Sequence, residues 1–122
     1  MKKLILAAAA MLGLFTLAAS AEATVLRVVV VEASDSTAYM GDLAKIRAAL
    51  TRLGSKSTMR VWRTRFAGPD AGAIIVSIEY PDMATFAAED VKIQNDTEYT
   101  SLIKGLDKVR KIVSDSLYEE MK

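Results

Sequence analysis

The 122-residue chain contains no cysteine and no histidine. The first absence removes disulfides, thiolate nucleophiles and sulfur ligands for metals. The second removes the Ser-His-Asp triad, imidazole-ligated haem and the usual zinc sites. Any proton transfer near neutral pH falls to a shifted Glu, Asp, Lys or Tyr. There is no Gly-rich phosphate loop; GLD at 105–107 does not make one. Neither sign of charge is in excess, with 16 Lys and Arg against 15 Asp and Glu. Nucleic-acid binding, which calls for a basic face, is therefore not expected.

What is present begins with MKKLILAAAAMLGLFTLAASAEA. Lys2 and Lys3 make a short basic start, an apolar run follows from Leu4 to Ala19, and small residues close it. Ala19-Ser20-Ala21 and Ala21-Glu22-Ala23 both offer the small-x-small pattern a signal peptidase accepts. The pattern predicts a signal peptide over 1–23, cleaved after Ala21 or Ala23. The run is shorter than the ~20 apolar residues a membrane span needs. The expected product is a periplasmic or secreted protein with no membrane segment after cleavage. Removing Lys2, Lys3 and Glu22 takes 16 basic and 15 acidic residues to 14 of each, a net charge of zero. Residues 24–122 are enough for one domain with one core. Without disulfides, such a domain relies on that core or on an oligomer interface.

VLRVVVVEA at 25–33 is β-branched and reads as a central strand. Ser34, Asp35 and Ser36 are cap candidates for a helix carrying Leu43, Ile46, Leu50 and Leu53 at helical spacing, ended by Gly54. A second strand is expected over 58–67, a GPDAG turn at 68–72 and a third strand at 73–80. Pro81 stops that strand, and Asp82 caps a helix to about Gln94. Asp96 caps a further helix over 98–110, and the tail at 111–121 supplies a fourth strand of poor alternation. Strand–helix–strand twice over is the ferredoxin-like βαββαβ arrangement: α+β, an antiparallel sheet with helices on one face.

The segment RVWRTRF at 60–66 holds three arginines and the only tryptophan. If GPDAG closes a hairpin with Ala67 opposite Ala73, Trp62 faces Ile78 and Phe66 faces Ile74 on one side of the sheet. Arg63 then faces Ser77, Arg65 faces Ile75 and Val61 faces Glu79 on the other. Trp62 is thereby expected in the core. Leu26, Val28 and Val30 make an unbroken apolar row for that core, which leaves Arg27, Val29 and Val31 on the second face. A face holding Arg27, Arg63, Arg65, Ser77 and Glu79 among valines is too apolar for free exposure and too charged for a dry core. It suits a partner sheet enclosing a polar cavity.

The element order and IIVSIEYPDMATFAAEDVKIQNDTEY at 74–99 resemble the dimeric α/β-barrel group of ferredoxin-like proteins. That group includes the antibiotic-biosynthesis monooxygenase-like and NIPSNAP-like families. The likeness rests on the V-x-x-E-aromatic run ending at Tyr80, on Phe86, and on the Asp96 to Tyr99 break. It implies a homodimer with sheets face to face. Many such barrels bind small aromatic or polyketide-like molecules, some are oxygenases without cofactors, and others bind haem through a histidine. The last branch is closed here in its usual form, and no cofactor is expected.

Arg63 and Arg65 suit a clamp on an anionic ligand, since guanidinium pairs bind carboxylate or phosphate in a planar fork. The simpler reading is a charge network with Glu79 across the dimer interface. Glu79 is a candidate base if the cavity desolvates it, although arginines on the same face favour its charged form. The hydroxyls at 35–37 and 114–116 lack a base partner and suit caps and turns. The sequence thus predicts an exported homodimer that binds a small organic molecule or serves as a scaffold. The alternative is a cofactor-independent oxygenase or isomerase acting in the barrel.

Overall fold

The computed structural model describes residues 23–66 and 68–122. Nearly all of the expected signal peptide, and the expected pairing of Ala67, lie outside these residues. The elements are β1 (Val25–Ala33), α1 (Ser36–Arg52), β2 (Thr58–Arg63), a 3-10 turn (Gly68–Asp70), β3 (Ile74–Tyr80), α2 (Met83–Gln94), α3 (Thr97–Leu106) and β4 (Arg110–Glu119). The strands form one antiparallel sheet in the order β2-β3-β1-β4, with the helices on one face. This is the ferredoxin-like arrangement the sequence predicts.

The helix ends follow the local chemistry. Asp35 accepts from the Ala38 N–H at 3.0 Å, Asp82 from Thr85 at 2.7 Å and Asp96 from Tyr99 at 2.9 Å. Each satisfies an orphan donor of a first turn. At the other end of α1, Ser55 N–H bonds Leu50 C=O and Gly54 N–H bonds Thr51 C=O, both at 3.0 Å. That pairing needs a left-handed residue, and Gly54 supplies it at φ 73°. The loop after α1 is tied to α2, where Glu89 accepts from the Ser55 hydroxyl and, at 2.9 Å, from the Lys56 N–H.

The core forms where β1 and β3 meet the helices. Val25 and Val31 of β1, Tyr39 of α1 and Leu106 of α3 are sealed from solvent. Burying a side chain of Leu or Val size contributes roughly 1.5–3 kcal/mol relative to exposure. Ring packing closes one end of this layer: Tyr80 and Phe86 meet edge to face, with centroids 5.1 Å apart.

Three expectations change. The hairpin is wider than GPDAG alone would make it. Thr64 meets Ala73, its N–H and hydroxyl both donating to the Ala73 carbonyl. The intervening loop contains the 3-10 turn and returns through Gly72 at φ 87°. Arg63 consequently pairs with Ile74 rather than Ser77, a shift of three positions. An odd shift sends every β2 side chain to the opposite face.

The second correction concerns β1. Its core row is Val25, Val29 and Val31, with Arg27 among them, and not Leu26, Val28 and Val30. The charge is tolerated because Asp115 on β4 reaches it across the sheet. The third concerns α3, which ends at Leu106. Lys108 N–H bonds Gly105 C=O and Val109 N–H bonds Leu106 C=O in a tightened turn, releasing Arg110 into β4.

Candidate functional site

The five residues predicted to share one face are divided by the structure. Ser77 and Glu79 do lie on the face without helices. Arg27 and Arg63 point to the helix side, and Arg65 lies past the end of β2, exposed. Arg60 and Trp62 take the places on the open face that Arg63 and Arg65 were expected to hold. The indole N–H of Trp62 donates to the Ser77 hydroxyl at 2.8 Å, and the residue is 51% exposed. Register puts Leu26, Val28 and Val30 of β1, Ile75 of β3 and Tyr118 of β4 on the same open surface.

A concave site lies on the other side, between the sheet and α2–α3. A cleft of about 430 Å3 is walled by Arg27, Ile93, Tyr99, Ile103, Arg110 and Ile112, among others. Five of these, all but Ile93, also wall a smaller inner chamber of about 60 Å3. The chamber extends beneath α1 to Tyr39, Leu43 and Ile46. Cleft volumes of about 300–1,000 Å3 are typical of small-molecule sites.

Arg27 sits where the two spaces meet. Its Nε donates to Asp115 Oδ1 at 3.0 Å and its Nη2 to Oδ2 at 2.6 Å, a bidentate pair with both side chains about one-third exposed. The hydrogen bond holds the Asp115 carboxyl below its ordinary value and raises the guanidinium further, so both stay charged. Burial pushes the Tyr80 phenol up to about 12 and the Tyr99 phenol up as well. These two are neutral hydrogen-bonding groups at physiological pH. At the rim, Arg110 bonds Asp107 at 3.1 Å.

Asp115 reaches the helix side through an irregularity. Val29 pairs with Asp115, Val30 with Ser114, but Val31 with Ile112, leaving Val113 as a bulge. Ile112 and Asp115 therefore share a face although three positions separate them. That bulge is the poor alternation visible in the tail sequence, and it hid Asp115 from a strand-period reading. Tyr39 was legible: it precedes Leu43, Ile46 and Leu50 at helical spacing. Tyr99 was visible only as part of the break after α2, with nothing in sequence to aim it at Arg27.

Among the described residues, no three of His, Cys, Asp or Glu group to hold a metal, and no helix is long and apolar enough to cross a membrane.

No protein-family model matches the chain, and no curated protein matches it. Solved structures do. SnoaB, a cofactor-independent oxygenase from Streptomyces nogalater, superposes with a TM-score of 0.59 at 12% identity, covering 82% of this chain and 95% of its own. A NIPSNAP family protein from Agrobacterium tumefaciens gives 0.60 at 13% identity, over 83% and 87% of the two chains. A dimeric ferredoxin-like protein from an uncultured marine organism gives 0.60 at 12%, over 83% and 98%. The predicted likeness is thus met in three dimensions: the chain has the ferredoxin-like fold shared by NIPSNAP-like proteins, a cofactor-independent oxygenase and dimeric proteins of this architecture.

Proposed function

We propose that the protein is an exported homodimer that binds a small organic molecule on the helix side of each sheet, with the open sheet faces packed together. The observation that carries the ligand reading is the cleft of about 430 Å3 continuing into the chamber beneath α1. The cleft mixes apolar walls with polar and charged groups, and the chamber adds Leu43, Ile46, Val76 and Leu106, a combination that suits a small-molecule site. The site moves from between the two sheets, where the expected register put it, to the space between sheet and helices.

Dimerisation is supported by what the open face carries. Trp62 is 51% exposed and Tyr118 is 56% exposed, beside Leu26, Val28 and Ile75. Aromatic and aliphatic side chains with a few polar groups are what a stable interface buries, at about 800 Å2 per partner. Neighbours of the same fold are described as dimeric. Export rests on the basic-apolar-small pattern of residues 1–23.

An oxygenase reading has the likeness to SnoaB behind it. The groups around Arg27 favour binding instead. Tyr99, in the wall of the cleft, is held protonated, and Asp115 is committed to Arg27 with its basicity lowered. These groups orient a ligand better than they remove a proton from one.

Native mass spectrometry of protein purified from the periplasm of an expressing bacterium tests the three parts together. The expected spectrum is a dimer lacking the first 21 or 23 residues and carrying a small molecule. An empty dimer that also binds no small neutral aromatic compound refutes the ligand reading. A monomer refutes the packed sheets.

A further inference from the structure

Tyr39 is fully buried, and its hydroxyl has no hydrogen-bond partner among the described residues. An unpaired buried hydroxyl is destabilising, so such groups nearly always have a partner in the working state of a protein. Tyr39 lines the inner chamber, whose other walls include Leu43, Ile46, Met59, Val76 and Leu106. Arg27, Tyr99, Arg110 and Asp115 line the same chamber, and the Tyr39 hydroxyl is the buried polar group there left without a partner.

The charges along the path sum to zero. Arg27, Lys104 and Arg110 face Asp90, Asp107 and Asp115. Arg27 is neutralised by Asp115, and Arg110 bonds Asp107. A charged ligand would find no uncompensated countercharge where cleft and chamber meet and would lose its hydration on entry. The chamber of about 60 Å3 admits only a few heavy atoms, while the cleft outside it admits a larger body.

We infer that Tyr39 is the buried anchor of the ligand site, and that the site takes an uncharged, slim, largely apolar molecule bearing one oxygen at its leading tip. The oxygen enters the inner chamber and exchanges a hydrogen bond with the Tyr39 hydroxyl. The apolar body fills the cleft against Tyr99 and Ile103. This rests on the helix-side cleft being the ligand site.

The test uses three probes of one shape: p-cresol, toluene and 4-methylbenzoate. Binding is followed by amide chemical shifts of the dimeric protein, for the natural chain and for Tyr39→Phe. p-Cresol is expected to bind about five- to tenfold more tightly than toluene, the worth of one buried hydrogen bond. 4-Methylbenzoate is expected to bind more weakly than either. Tyr39→Phe is expected to bring p-cresol and toluene to equal affinity and to leave the melting temperature unchanged or higher, since it deletes an unpaired group. If p-cresol and toluene both shift residues of the cleft but Tyr39→Phe leaves their ratio unchanged, the anchor is refuted and the cleft stands. If Tyr39→Phe lowers the melting temperature and spares the ratio, the hydroxyl serves a buried water and the anchor is again refuted. If neither neutral probe shifts Tyr99 or Ile103, the cleft and the anchor both fail.

Discussion

Trp62 and Ser77 meet across the β2–β3 hairpin, indole N–H to hydroxyl at 2.8 Å, on the face that carries no helix. Trp62 pairs in register with Ile75, so the contact is a diagonal one. It ties the indole to the open face with half the residue's surface available.

Trp62→Ala is therefore expected to act on association. A core tryptophan deletion costs about 3–5 kcal/mol; here the isolated chain should lose well under that, while the dimer dissociates at higher concentration. Light scattering across a dilution series, paired with chemical denaturation, separates the two. A loss of several kcal/mol in a monomeric background would return Trp62 to the core and contradict the register.

Asp115→Asn removes the countercharge from a half-buried guanidinium. Breaking a fully buried pair costs about 3–5 kcal/mol and exposed pairs contribute about 0–1; with both side chains about one-third exposed, about 1–2 kcal/mol is expected. Arg27→Met should cost less than Asp115→Asn, because a methionine fills the space without leaving a charge behind. Denaturation midpoints of the two variants and their combination give the coupling. Equal losses for all three would mean the pair acts as a unit; no loss in any would mean it is ornamental to stability.

Acid weakens the same pair. The folded-state value of Asp115 is depressed, so its contribution is complete above the ordinary carboxylate range near pH 4 and is lost as pH falls through the lower folded value. Melting temperature should fall more steeply below about pH 4 in the natural chain than in Asp115→Asn.

At the alkaline end the sign reverses. Tyr80 is raised from 10 to about 12 by burial, so its contribution is full below pH 10 and is lost between pH 10 and about 12. Tyr99, raised in the same direction, adds to this. Ultraviolet titration should show part of the phenolate absorbance arriving late, together with loss of near-ultraviolet circular dichroism. Tyr80→Phe should reduce the late component.

Much of the fold was legible in the sequence because local signals agreed. Asp35, Asp82 and Asp96 each cap the helix they precede, and Gly54 ends α1 as its spacing suggests. The site was less legible because it depends on parity, which strand sequences of this kind leave open. β1 is apolar on both faces, so VLRVVVVEA does not say which valines meet the helices. The β2 register hangs on a loop whose closing residue is Thr64, and nothing local distinguishes that from closure at Ala67. Ser77 and Glu79 were placed correctly because β3 alternates cleanly. Arg27 was misplaced because Leu26, Val28 and Val30 were read as the core row, and Arg63 because the assumed hairpin closure set its register against β3 three positions off.

The extra residue at Val113 has a consequence for how such a chain can change over time. β4 lies at an edge of the sheet and closes no tight hairpin with β1, so it can gain or lose a residue without tearing the core. Loss of the Val113 codon would leave Ile112 opposite Val31 and Ser114 opposite Val30, so strict alternation would return with the other β4 side chains on their present faces and Asp115 still beside Arg27. A single-codon step at this position thus alters the bend of an edge strand while leaving the chemistry of the pocket as it is.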